Sequence, residues 1–212
     1  MSIKTVHKAL ASVFLWILLL SSQSFAHMVI YKGGFGLMHY ASPDAIATDI
    51  NYTFSRKFSV VYRHFTFSET SRADVEELNL GQINHLIKRW NNHDSQANIY
   101  AGLGYGERET TSYQIEADWE NRQLYISSEY SALDLRDNLK NLETKKVRAG
   151  LAPYVAGSGD FHSWLILQYE NNSAMRERDS LTPLFRGFYK NVLFEAGYSF
   201  NNEFNFTLMI HL

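Results

Sequence analysis

The sequence predicts an all-β chain that closes into a transmembrane, antiparallel, up-and-down barrel of about twelve strands. Three observations carry this. The chain is a succession of segments of about ten residues in which apolar side chains alternate with polar or small ones, the period of a strand with two unlike faces. The links between segments alternate between short and long. On the apolar faces, aromatic residues gather at the two ends of the segments and aliphatic residues lie between them.

The N-terminus is read separately. Lys4 and Lys8 precede an unbroken apolar run over 9–20, followed by Ser24-Phe25-Ala26. This is the order of a secretory signal peptide, residues 1–26, with cleavage expected before His27. The run falls short of the ~20 residues a membrane helix needs, and no later run is longer. Residues 27–212 are then one barrel domain. The chain has no cysteine, which removes disulfides and thiolate metal sites. A net charge of −2 with no basic run argues against nucleic acid as a partner.

In order, the strands are expected at 29–40 (bent at Gly33-Gly34), 45–54, 58–67, 82–90, 96–106, 110–120, 123–132, 145–155, 161–170, 181–190, 192–200 and 204–212. The fourth is the least regular, because Ile83, Leu86, Ile87 and Trp90 also fit a helical spacing. Ten strands is the alternative count. With both termini on one side, even-numbered strands end in short turns at 55–57, 91–95, 121–122, 157–160 and 191. Odd-numbered strands end in the long links 68–81, 133–144 and 171–180. At the short-turn ends the apolar faces carry Tyr52, Phe54, Phe58, Trp119, Phe161 and Tyr189. At the long-link ends they carry Tyr105, Tyr113, Tyr130, Tyr169, Tyr198, Phe200 and Phe204. Rings favour the headgroup level of a bilayer, so two bands around an aliphatic belt match a membrane slab. The soluble barrel, the other candidate, would turn its apolar face inward and would not sort aromatics by depth.

The last hairpin shows the pattern most clearly. Val192, Phe194, Ala196, Tyr198 and Phe200 share one face with Phe204, Phe206, Leu208, Ile210 and Leu212; Glu195, Gly197, Ser199, Asn205, Thr207 and His211 share the other. Its second strand is expected to close the barrel on the first.

On these features the chain resembles small bacterial outer-membrane β-barrel proteins. The resemblance covers all of residues 27–212 and is one of class. It implies the outer membrane of a Gram-negative cell envelope, with membrane lipid and the barrel-assembly machinery as partners. Such proteins usually end in an aromatic residue; this one ends in Leu212.

If the apolar face meets lipid, the polar face lines the interior. The candidate site is a charge cluster of Glu116, Asp118, Glu129, Lys146, Arg148, Glu170, Arg186 and Glu195, on neighbouring strands where cross-strand pairing is available. Gln96, Asn98, Asp49, Asn51 and Arg63 join it, as do Tyr154, His162 and Lys190. Tyr100, Tyr125, Trp164 and Phe188 also point inward, which favours a narrow or occluded lumen, since twelve strands lie between a filled eight-stranded barrel and an open pore of ~16–18. The function expected is a narrow channel for a small polar solute or a structural envelope component. The alternatives are a membrane-embedded hydrolase acting on lipid or peptide and a soluble periplasmic ligand-binding barrel.

No catalytic residue is assigned. His162 and Ser163 are adjacent and so lie on opposite faces, Ser127 and Ser131 face inward without a sequence-adjacent histidine, and no G-x-S-x-G motif occurs. Glu116 and Asp118 read as lumen charges rather than as an acid–base pair. His27 with a free amine could chelate a metal, but no H-x-x-x-H or carboxylate triad supports a site, and neither metal nor cofactor is expected. Gly102, Gly104 and Gly106 alternate along a strand, so they make room for a bulky lumen neighbour such as Tyr100 and do not form a nucleotide loop. The acidic link 68–81, with Glu69, Asp74, Glu76 and Glu77, reads as a solvated outer loop.

Overall fold

The computed structural model describes residues 28–136, 139–157 and 159–212; the expected signal peptide and His27 lie outside them. Twelve antiparallel strands form one closed barrel. They are β1 (Phe35–Ala41), β2 (Ala45–Tyr52), β3 (Phe58–Phe67), β4 (Glu77–Asn91), β5 (Ser95–Gly106), β6 (Thr111–Asn121), β7 (Leu124–Asp134), β8 (Leu142–Leu151), β9 (His162–Asn172), β10 (Asp179–Tyr189), β11 (Val192–Tyr198) and β12 (Phe204–His211). Each strand pairs with the next, and β12 closes on β1 with Leu37 opposite Ile210. A 3-10 turn at Glu107–Glu109 is the one helical element among the described residues.

The outer wall is apolar and the interior polar, the inverse of a water-soluble barrel. Leu103 is 64% exposed and Leu165 57%, whereas the neighbouring lumen residues Asn98 and Gln168 are 1% and 3% exposed. Of the ring residues expected at the two rims, Tyr52, Phe54, Phe58, Phe161 and Tyr189 at one end and Tyr105, Tyr113, Tyr130, Tyr169, Tyr198, Phe200 and Phe204 at the other are exposed, and Trp119 is half-buried. Soluble monomers rarely expose an apolar surface of this extent.

Four elements differ from expectation. The first strand starts at Phe35, not residue 29. Gly33 adopts φ +85, which a β-carbon would disfavour, and the chain before it turns into the barrel. β4 is longer than expected and carries a bulge at Ile87, where Leu86 pairs with Tyr100 and Lys88 with Ile99. The extra residue shifts alternation by one, so Ile83, Ile87 and Trp90 all reach the outer wall. That slip is the physical origin of the helix-like spacing. β8 ends at Leu151, because Pro153 has no N–H to give the ladder. The following link therefore covers 152–161, longer than the short turn expected, and Tyr154 lies in it, exposed, with its hydroxyl donating to the Phe161 carbonyl at 2.8 Å. Lys190 is likewise not in the lumen: it forms the β10–β11 turn at φ +54. On the long-loop side β4 begins at Glu77, which shortens that link to 68–76.

Candidate functional site

The lumen is assembled row by row. Glu116 on β6 stands opposite Glu129 on β7, Glu129 opposite Lys146 on β8, and Lys146 opposite Glu170 on β9. Lys146 Nζ is 3.8 Å from both Glu129 and Glu170, an ion pair too long for a hydrogen bond. One row nearer the short-turn end, Asp118, Ser127, Arg148 and Gln168 face one another in the same way. Arg148 Nε donates to Gln168 at 2.7 Å, and its NH1 lies 3.2 Å from Glu195 Oε2. Arg186, opposite Glu195 across β10–β11, donates to Glu195 Oε1 at 2.6 Å. Glu195 thus receives two guanidiniums, and the Arg186 guanidinium also stacks 4.6 Å from the centre of the Tyr125 ring.

On the facing wall, Arg63 on β3 makes a two-bonded pair with Asp49 on β2, at 2.8 and 2.6 Å. The structure therefore brings Glu129, Lys146, Arg148, Glu170, Arg186 and Glu195 into one connected network. Glu116 adjoins it through Glu129. Asp118 belongs to a second network, in which Asn98 donates to Asp118 at 2.6 Å and Arg89 donates to Asn98 at 2.6 Å. Arg89 was not legible as a lumen residue, because only the bulge at Ile87 turns it inward. The glycine run faces the lumen, but it makes room for β4 rather than for Tyr100: a β-carbon at Gly102 would sit 2.6 Å from Gln82 Nε2 and 2.8 Å from Asn84 Oδ1.

A cavity of about 300 Å³ lies among these groups. Its lining extends from Met28 and His211 to Ala174 and Met175, and so runs nearly the length of the barrel. Both ends are narrowed by chain segments. At the short-turn end the segment before β1 enters the lumen: the Met28 carbonyl accepts from Ser59 at 2.8 Å and from Asn51 at 2.9 Å, and buried Val29 packs on Leu86 and Tyr100. At the long-loop end, Val75 from the β3–β4 loop, Leu135 from the β7–β8 loop, and Ala174 and Met175 from the β9–β10 loop pack on Leu78, Leu80, Leu142 and Phe67. The acidic loop expected to be merely solvated is part of this lid. The Ser71 hydroxyl and the Arg72 N–H both donate to the Ala174 carbonyl, each at 2.8 Å.

Asp44 tethers the lid, accepting from the Thr70 hydroxyl at 2.7 Å and the Arg176 N–H at 2.8 Å. Glu203, in the β11–β12 loop, lies beside it. Burial, and then the Asp44 charge, push the Glu203 carboxyl up from the ordinary value of 4.5; the Arg176 guanidinium, 4.0 Å away, offsets this only in part. Below 4.5 the folded and unfolded chains both hold the proton. As pH rises past that value the unfolded chain releases it first, so Glu203 subtracts from stability as pH rises. Urea midpoints measured from pH 4 to pH 8 are expected to fall less steeply in Glu203→Gln than in the wild type, and identical slopes would refute the assignment.

No protein-family model matches the chain, and no curated protein is significantly similar to it. Among solved structures it is similar to the KdgM porin, with a TM-score of 0.51 and 11% identity over 84% of this chain and 97% of that one. The KdgM porin in complex with disordered oligogalacturonate gives 0.49 and 12% identity over 84% and 97%. OccK8 (OprE) of Pseudomonas aeruginosa gives 0.34 and 10% identity over 79% and 57%. The chain thus resembles outer-membrane β-barrel proteins at the level of class, and the likeness is one of fold.

Proposed function

We propose that the protein is an outer-membrane barrel whose charged lumen is a narrow channel for small polar solutes or ions, closed at rest. One observation carries this reading: a cavity with a charged middle is lined nearly from end to end of the barrel, and among the described residues an apolar loop lid and the segment at Met28 narrow its two ends. The apolar wall and its two aromatic rims suit a bilayer, and the long loops then face outward. The lining carries both signs, Arg63, Lys146, Arg148 and Arg186 against Asp49, Glu116, Glu129, Glu170 and Glu195, so strong selectivity for one sign of charge is not expected.

A second reading is a permanently plugged structural barrel, favoured by closure at both ends. Planar-bilayer recording separates the two. Discrete, brief current steps are expected, with insertion verified by heat-modifiable gel migration. No current over many insertions, from either the wild type or a variant with the lid disrupted, would overturn the channel and leave the plug.

A further inference from the structure

A polar row crosses the apolar outer wall over β1 to β4, and a second, Lys145, Asn171 and Asp179, crosses it over β8 to β10. His39 stands opposite Thr48, Thr48 opposite His64, and His64 opposite Asn79, with Glu107 continuing the row in the 3-10 turn after β5. These side chains face away from the lumen, because their strand neighbours Tyr40, Asp49, Arg63 and Leu80 line it or pack inside it. Elsewhere near this rim the wall carries Tyr105, Tyr113, Tyr130 and Tyr169.

The hydrogen bonds of the row determine where each proton sits. The Glu107 carboxylate can only accept, and it takes the Asn79 backbone N–H at 3.1 Å and Asn79 Nδ2 at 3.2 Å. This turns Asn79 Oδ1 toward β3, where it accepts from the Tyr62 hydroxyl at 2.7 Å and meets His64 Nδ1 at 2.7 Å. An acceptor at Nδ1 requires the proton there, so in the neutral imidazole Nε2 carries the lone pair. Thr66 Oγ1 is 3.2 Å from Nε2, and its hydroxyl donates to it. Thr66 is two residues from His64 on the same face of β3, and Asn79 is on the adjacent strand. A hydroxyl, a base and a group that holds the base in the required tautomer are the parts of an activated nucleophile.

We propose that His64 and Thr66 form an acyl-transfer site on the outer wall, acting on a carboxylic ester of an outer-leaflet lipid. The proposal rests on the reading that this wall meets lipid, and not on conduction through the lumen. The pair sits near the long-loop end of β3, at the headgroup–acyl boundary where such esters lie. Thr66 Oγ attacks the ester carbonyl carbon while His64 Nε2 takes the hydroxyl proton. The adduct collapses, the proton passes to the departing alkoxy oxygen, and the acyl group stays on Thr66. Water, deprotonated by the same nitrogen, then attacks the acyl-threonine, releasing the fatty acid and restoring the hydroxyl. The cycle consumes one ester and one water and needs no oxidant or reductant. Asn79 and Glu107 are positioning residues.

The test uses the full-length barrel in mixed micelles with diacyl phosphatidylethanolamine in one arm and acylated lipid A in the other, reading fatty acid release. A fluorophosphonate probe with peptide mapping reads the nucleophile. Release in either arm and an adduct on Thr66 are expected, and the arm that responds names the lipid. His64→Ala and Thr66→Val should lower both signals by at least about a hundredfold, while Thr66→Ser keeps them. Asn79→Leu should lose activity, and Asn79→Asp combined with Glu107→Gln, which keeps an acceptor at Nδ1, should restore it. All variants should keep wild-type heat-modifiable migration and bilayer conductance, which separates this test from that of the channel. No release in either arm, release that survives His64→Ala, or an adduct only at another residue would overturn the site.

Discussion

Glu195→Leu is expected to lower the unfolding free energy of the barrel by about 3–5 kcal/mol, the range for removing one partner of a buried ion pair. Glu195 is the shared acceptor of Arg148 and Arg186, at 3.2 and 2.6 Å, and all three side chains are largely buried. Removing it leaves two guanidiniums in the lumen, and Gln168 can satisfy only one of them, through its existing bond to Arg148 Nε. The check is urea-driven unfolding in lipid vesicles followed by tryptophan fluorescence, to which Trp164, opposite Arg186 on β9, is well placed to respond. Adding Arg186→Leu to Glu195→Leu should recover part of the loss, since the orphaned charge is then removed as well, and the cycle of single and double variants isolates the coupling. A loss below about 1 kcal/mol for Glu195→Leu alone would mean that lumen water solvates the arginines and that the network is not what holds this wall together.

Val75→Asp with Leu135→Asp is expected to convert brief current steps into long-lived open events. The two residues come from different loops and are 5% and 3% exposed. Each would bring a carboxylate into an apolar cluster, a cost of several kcal/mol that lid displacement relieves. The strands beneath keep their ladders, so the barrel itself should survive, as heat-modifiable migration would show. Open-time distributions in planar bilayers read the effect. Distributions unchanged from the wild type would show that the lid is not the closure and would move attention to Met28–Ile30 at the other mouth.

Much of the architecture is legible in the sequence because lipid and lumen impose opposite demands on successive residues of a strand. The terminal hairpin is the clearest case: Phe194 and Leu208 outward and Glu195 and His211 inward follow from alternation alone. So does the inward placement of Lys146, Arg148 and Glu195. Alternation fails where the backbone breaks period. Arg89 turns inward only because of the bulge at Ile87, and Tyr154 leaves the wall only because Pro153 ends β8. His64 and Thr66 had a sequence signal of their own, two polar residues on the apolar face of a strand two positions apart.

By itself, then, the sequence determined that there are about twelve strands and which face of each meets which medium. These follow from a period of two and from the cost of placing the wrong group in lipid. Only the tertiary structure decided that loops narrow the mouths, that Glu195 serves two arginines, and that a chain of hydrogen bonds from Glu107 through Asn79 holds His64 against Thr66. Those outcomes depend on loops and side chains from strands far apart in sequence meeting at one point, and local alternation carries no information about such meetings.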